Sequence, residues 1–314
     1  MELQPRKVFV SGSSYIITLP KKWLEENRVK AGDIVYVEVG RDSIRILPSI
    51  TKAVEKEGEI SGVRRADTLV RKIISHYLAG YTSIRVEVSP EIRRAAYKAV
   101  EMLIGAEIIE DYVNELKIVI FHSERRFKPE ELLEKMFSVT QSMHEDLSKC
   151  MKEFDGTLCE SILEREKEVD RLYFLILRQL KMALSYQDVA SMINLKPREI
   201  LGYRIVVKNV ERVADHLTTM AEEMRKHGKG CDFYELSEEV RRSFKIAMNS
   251  FFRRDEGLAE ELFEITKELK DELKGFEAKN AEEALLKKTI SDGLSRIVGY
   301  SEDVAEIVLN LSVE

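Results

Sequence analysis

A change of hydrophobic period divides this chain. From Pro129 onward apolar residues return every three or four positions, the period of helices that bury one face. The first fifty residues read instead as short alternating strands broken by turns. The two patterns fall in separate stretches of the chain, and 314 residues leave room for two or three domains. A composition 44% hydrophobic and 34% charged, with only six prolines, fits a folded, helix-rich chain. The expected fold is multidomain and mostly α. A strand-rich head covers 1–50, a small α/β connector 51–125 and a helical body 126–314, itself divided at 126–230 and 231–314.

In the head, Lys7–Val10 and Tyr15–Leu19 read as strands around the turn Ser11–Ser14. Pro20 stops pairing, and Lys21–Glu26 makes one short helix. Ile34–Val39 and Ser43–Leu47 form a hairpin across Gly40–Asp42. About fifty residues with so few large apolar side chains cannot bury enough surface alone. Size therefore predicts a homodimer that pools two sets of strands. Residues 1–48 carry eight Lys and Arg against six acids, a net of +2, while the whole chain is −6. A mildly basic head on an acidic body is the asymmetry expected when one part meets a polyanion.

The string RKVFVSGSSYIITLPKKWLEENRVKAGDIVYVEVGRDSIRILP resembles the SpoVT/AbrB (MazE-like) swapped-hairpin domain over about residues 5–48. That resemblance implies a dimeric N-terminal swapped-hairpin β-barrel that binds DNA through basic side chains of the first loop and the short helix. The matching positions are Arg6, Lys7, Lys21 and Lys22, with Ser13 and Ser14 as phosphate contacts. Glu25 and Glu26 stand where some members place arginines, so base readout does not carry over. The alternative is a head that only dimerises the body.

Residues 51–62 are polar and turn-rich, as in a linker. A helix over 63–79, a strand at 83–88, a helix over 90–103 and strands near 106–109 and 116–121 make up the connector. It offers no nucleophile–base pair, phosphate loop or metal-ligand spacing.

Six helices are expected in the body, over 129–153, 158–185, 197–227, 235–253, 257–274 and 281–311. Two sets of three point to an internal duplication. Thr157…Glu160 and Asn280…Glu283 have capping-box spacing. Two acid pairs, Glu166/Asp170 and Glu211/Asp215, each point off one helix face. The first interrupts an apolar stripe of Ile162, Val169, Tyr173 and Leu177. Such pairs arise by accident in a chain with 56 acids, as solvated faces or salt bridges; a hard cation shared between helices is the other reading.

The string NVERVADHLTTMAEEM (209–224) is similar to the signature of PhoU, the phosphate-uptake regulator. The resemblance spans about 126–314 and implies a six-helix double three-helix bundle with carboxylates on facing helices. It implies an iron or zinc cluster held by Glu166, Asp170, Glu211 and Asp215. In the second half, LSRIVGYSEDVAEIV (294–308) puts Ser295 and Gly299 where the acids should be. Aligning LAEELFEITKELK with LCESILEREKEVD puts Thr266 and Lys270 at the other two positions. At most one metal site is therefore expected, in the first bundle. His216 reads as a helix-surface residue or a ligand, and Met143, Met151, Met182 and Met192 as core filler.

Cys150, Cys159 and Cys231 fall outside any CxxC spacing and read as ordinary residues of a reducing compartment. No window is long and apolar enough to span a membrane, and Met1–Pro5 opens no signal peptide. A cytoplasmic protein follows. HExxH, GxSxG, a Walker loop and Glu-x-x-His are all missing, so the expected role is not enzymatic. The leading expectation is a DNA-binding transcriptional regulator of phosphate uptake. The alternative is an adaptor contacting a phosphate-transporter ATPase or a signalling kinase.

Overall fold

The computed structural model describes residues 4–39, 44–48, 55–121 and 127–313. Contacts divide the chain into two compact units, Met1–Lys52 and Ala53–Glu314.

In the first unit, β1 (Val8–Ser11) pairs antiparallel with β2 (Ser14–Ile17), Val8 opposite Ile17 and Ser11 opposite Ser14. The two-residue turn between them holds Gly12 at φ +61, a conformation a side chain resists. Pro20 leads into α1 (Lys21–Glu26), and β3 (Tyr36–Val39) pairs with β4 (Ile44–Leu47). The expected turn Gly40–Asp42 lies outside the described residues. No described residue of this unit is buried: Val8 is 64% exposed, Tyr15 77% and Ile34 78%. Among the described residues of this unit the strands form two separate two-stranded ribbons, a marginal arrangement in water.

The second unit begins with a four-stranded sheet ordered β5-β6-β8-β7: β5 (Glu57–Ile60), β6 (Ser83–Glu87), β7 (Ala106–Asp111) and β8 (Glu115–Ile120). β5 runs parallel to β6, and the other pairings are antiparallel. Helices α2 (Ala66–Leu78) and α3 (Pro90–Glu101) bury Leu69, Ile73, Ile92 and Ala96 in one core with Ile84, Val86, Leu116 and Ile118. The expected linker at 51–62 is corrected by β5; residues 51–54 lie outside the described ones. With Ile60 its one large apolar side chain, β5 shows no alternation to read.

The helices of the body are α4 (Pro129–Lys152), α5 (Gly156–Ala183), α6 (Gln187–Ile193), α7 (Pro197–His227), α8 (Tyr234–Arg253), α9 (Glu256–Glu272) and α10 (Ala281–Ser312). Six were expected; the seventh, α6, is a two-turn piece between two long helices. It ends at Asn194 in the left-handed conformation, φ +51, and Pro197 then opens α7. The α5 cap is also corrected. Asp155, not Thr157, accepts the free backbone N–H groups, from Thr157 at 2.8 Å and Leu158 at 3.4 Å. Asn280 caps α10 as expected, accepting from Glu283 N–H at 2.9 Å. Helices α4, α5 and α7 form one bundle and α8, α9 and α10 the other. Both bundles share a single buried core, joined where α7 meets α10 and α4 meets α8. Met143, Met151 and Met182 are buried in it, and Met192 packs against it.

Helix α2 is fastened to the bundles by Arg178 of α5. Its buried guanidinium donates to the Tyr77 carbonyl and lies 4.8 Å from the centre of the Tyr77 ring.

Candidate metal centre

Glu166 and Asp170 sit one turn apart on α5, and Glu211 and Asp215 one turn apart on α7, which packs against it. Glu166, Asp170 and Asp215 each offer an oxygen, and these all lie within 4.8 Å of one another. The helix pairing thus unites three of the four expected ligands. Glu211 stands apart from that group. Only 8% exposed, it accepts from the Lys208 ammonium one turn earlier, itself 5.0 Å from the centre of the Tyr173 ring. Lys208 is the residue that sequence reasoning missed. Its i,i+3 spacing to Glu211 was readable, but nothing in the spacing says that the lysine pairs with that acid at the helix interface.

The electrostatics follow from crowding and burial. Desolvation raises Asp170 to about 7, with Glu166, Glu211 and Asp215 adding repulsion. Glu166 is raised by burial first, then by Asp215 and Glu211. Glu211 is raised by burial against the opposing hydrogen bond from Lys208. Carboxylates that resist ionisation together fit a hard or borderline cation, whose charge stabilises all of them at once. A groove of about 880 Å³ between α3 and α5 opens onto Glu166 and Asp170 and is also lined by Arg94, Lys98, Lys167 and Arg171.

His216 corrects the surface reading. It is half-buried, stacked on Tyr300 of α10 with ring centres 5.8 Å apart, and burial lowers its pKa. It lies outside the carboxylate group.

In the second bundle Thr266 is fully buried and donates to the Phe263 carbonyl, 3.2 Å away. Lys270 is ion-paired with Glu302 of α10. Ser295 and Gly299 are half-buried on α10.

The six expected DNA contacts are all exposed. The β1–β2 register separates them within one chain. Arg6, Lys7, Lys21 and Lys22 flank the open end of the hairpin, while Ser13 and Ser14 lie at its turn. At about 3.4 Å per residue the two ends of the paired strands are roughly 10 Å apart. The lysines are also held in ion pairs, Lys21 with Glu25 at 3.7 Å and Lys22 with Glu26 at 3.9 Å. Arg6 donates to Gln4 at 2.9 Å.

Residues 133–224 match the family model of the PhoU domain, a span that contains all four acids and ends within α7. Residues 8–53 match the model described as MazE, the bacterial antitoxin of antidote–toxin recognition. Among solved structures, that of PhoU from Pseudomonas aeruginosa is similar at 18% identity and a TM-score of 0.47, covering 59% of this chain and 95% of that one. No curated protein matches the chain.

Proposed function

We propose that this chain, with PhoU-like bundles behind a MazE-like head, is a cytoplasmic, DNA-binding transcriptional regulator of intracellular phosphate homeostasis that acts without catalysis. The observation that carries this reading is the presence of both matches in one chain. The head supplies exposed cations for phosphate backbones, and the body supplies a desolvated carboxylate cluster for sensing. Glu166, Asp170 and Asp215 would hold an iron or zinc ion, with Glu211 joining them when Lys208 releases it. The ion would contribute charge compensation between α5 and α7. Among the described residues, no helix is long and apolar enough to cross a membrane.

A homodimer belongs to the same reading. Val8, Phe9, Tyr15, Ile16 and Ile17 are all exposed in one chain, and a second head would cover them. The second reading is a dimeric adaptor that works through protein contacts with a transporter ATPase or a signalling kinase. It is favoured by one observation: Glu25 and Glu26 neutralise the two helix lysines.

Binding of duplex DNA over a range of salt concentrations separates the two. For the regulator, the Lys21→Ala/Lys22→Ala variant binds less tightly, and its log–log salt slope falls by about 3.6 for one contact from each of the dimer's four lysines. Wild-type affinity and slope in that variant would favour the adaptor.

A further inference from the structure

Cysteine spacing in the sequence shows no pattern, yet the fold brings two of the three together. Cys150 stands in the last turn of α4 and Cys159 in the first turn of α5, on either side of the short connection at 153–155. Both side chains are fully buried, and their sulfurs are 3.7 Å apart. The Cys159 thiol donates to Cys150, and the Cys150 thiol donates to the Asp155 carbonyl at 3.4 Å. Cys231 is placed separately. Its backbone N–H is bound to the Met151 carbonyl at 2.9 Å, after a Gly230 whose added Cβ would stand 2.4 Å from that same oxygen.

We propose that Cys150 and Cys159 are a redox pair that closes to an intramolecular disulfide under a peroxide-class oxidant, leaving Cys231 a free thiol. A disulfide needs its sulfurs about 2.05 Å apart, so the pair has to close by roughly 1.7 Å, within reach of side-chain rotation at two helix ends. An open groove of about 800 Å³ flanks the connection, lined by Asp155, Tyr234 and the chain neighbours of the two cysteines, Lys149 and Leu158, so opening of the connection would admit the oxidant. The hydrogen bond from Cys159 also favours the Cys150 thiolate, which makes Cys150 the attacking sulfur.

The chemistry balances. The Cys150 thiolate attacks one peroxide oxygen, the O–O bond breaks, and hydroxide leaves to become water as a sulfenic acid forms. The Cys159 sulfur then attacks the Cys150 sulfur. The S–S bond forms, the S–O bond breaks, and the departing hydroxide takes the Cys159 proton as a second water. Two thiols are oxidised and one peroxide is reduced. The product clamps the N-terminal end of α5, the helix that carries Glu166 and Asp170.

The test uses the full chain, reduced and then exposed to hydrogen peroxide, denatured in an alkylating agent and digested with trypsin, which cuts between the two cysteines at Lys152. The expected result is a Cys150–Cys159 cross-linked peptide, alkylated Cys231, and full reversal by dithiothreitol. Closing so short a loop should raise Tm by roughly 5 °C. The Cys231→Ser variant should form the same bridge. Three alkylated thiols after treatment, a bridge that includes Cys231, or sulfinic acid at Cys150 without a cross-link would each overturn the proposal. The wild-type peptide map decides it even where a Cys150→Ser or Cys159→Ser chain fails to fold.

Discussion

The two three-helix bundles share one core but differ in what they place at the corresponding helix interface. Where α5 and α7 crowd acids together, α9 and α10 bury a threonine and set a lysine against a glutamate. The first arrangement leaves like charges facing one another in partial burial, which folding alone does not favour. The second is already neutral. Helix packing can hold either solution, so the repulsive one calls for a reason outside packing, and the cation proposed above would supply it.

The largest effect concerns the metal itself. Protein purified without chelator and assayed by elemental analysis should carry iron or zinc, and Glu166→Gln/Asp170→Asn should reduce it at least about tenfold. Thr266→Ala/Lys270→Gln should leave it unchanged. Equal loss in both variants would erase the distinction between the bundles.

Next comes the seam between them. His144 of α4 is fully buried, 3.2 Å from the Ser237 hydroxyl of α8. Burial and then the Arg241 charge lower its pKa from 6.5 to about 3, with Glu238 opposing. A histidine held neutral costs nothing above its unfolded pKa. As pH falls from 6.5 toward 3, the unfolded chain takes up a proton that the folded one refuses, and stability is lost at up to about 1.4 kcal/mol per pH unit. Urea unfolding from pH 7 to pH 4.5 should show that loss, reduced in His144→Gln. An unchanged slope in the variant would remove His144 from the account.

How much of this was legible in the sequence depends on the length of the signal. The long helices α4, α5, α7 and α10 repeat their apolar positions over many turns, and their spans were read to within about three residues. The facing of Glu166/Asp170 on Asp215 followed from i,i+4 spacing and the PhoU resemblance together; spacing alone matched too many pairs. Short elements left too little pattern: β5 has one large apolar residue, and α6 has seven residues in all. The pairing of Lys208 with Glu211, and the meeting of Cys150 with Cys159, are products of side-chain placement that no linear spacing records.

Lys208 allows the contrast to be adjusted. Replacing it with Met removes the hydrogen bond that diverts Glu211 while keeping the side-chain stem beside Tyr173. With a fourth carboxylate released, metal affinity measured by competition with a chelator should rise several-fold, about 1.4 kcal/mol for each tenfold. Weaker binding in Lys208→Met would mean that the lysine positions the ligands rather than competing with them.

The smallest effect lies in the second bundle, and its smallness is informative. Lys270 and Glu302 are partly exposed, so water and salt screen their attraction, and such pairs contribute about 0.2–1 kcal/mol. Lys270→Met should therefore lower stability in urea by about 0.5 kcal/mol at low salt and by less at 1 M salt, where the Debye length is about 3 Å. Metal content should stay at the wild-type level, since among the described residues Glu302 belongs to no group of three candidate ligands. A large loss of stability would show that the second bundle relies on its ion pair as heavily as the first would rely on its metal. The two halves would then be alternative answers to one packing problem, rather than one functional interface and one neutral one.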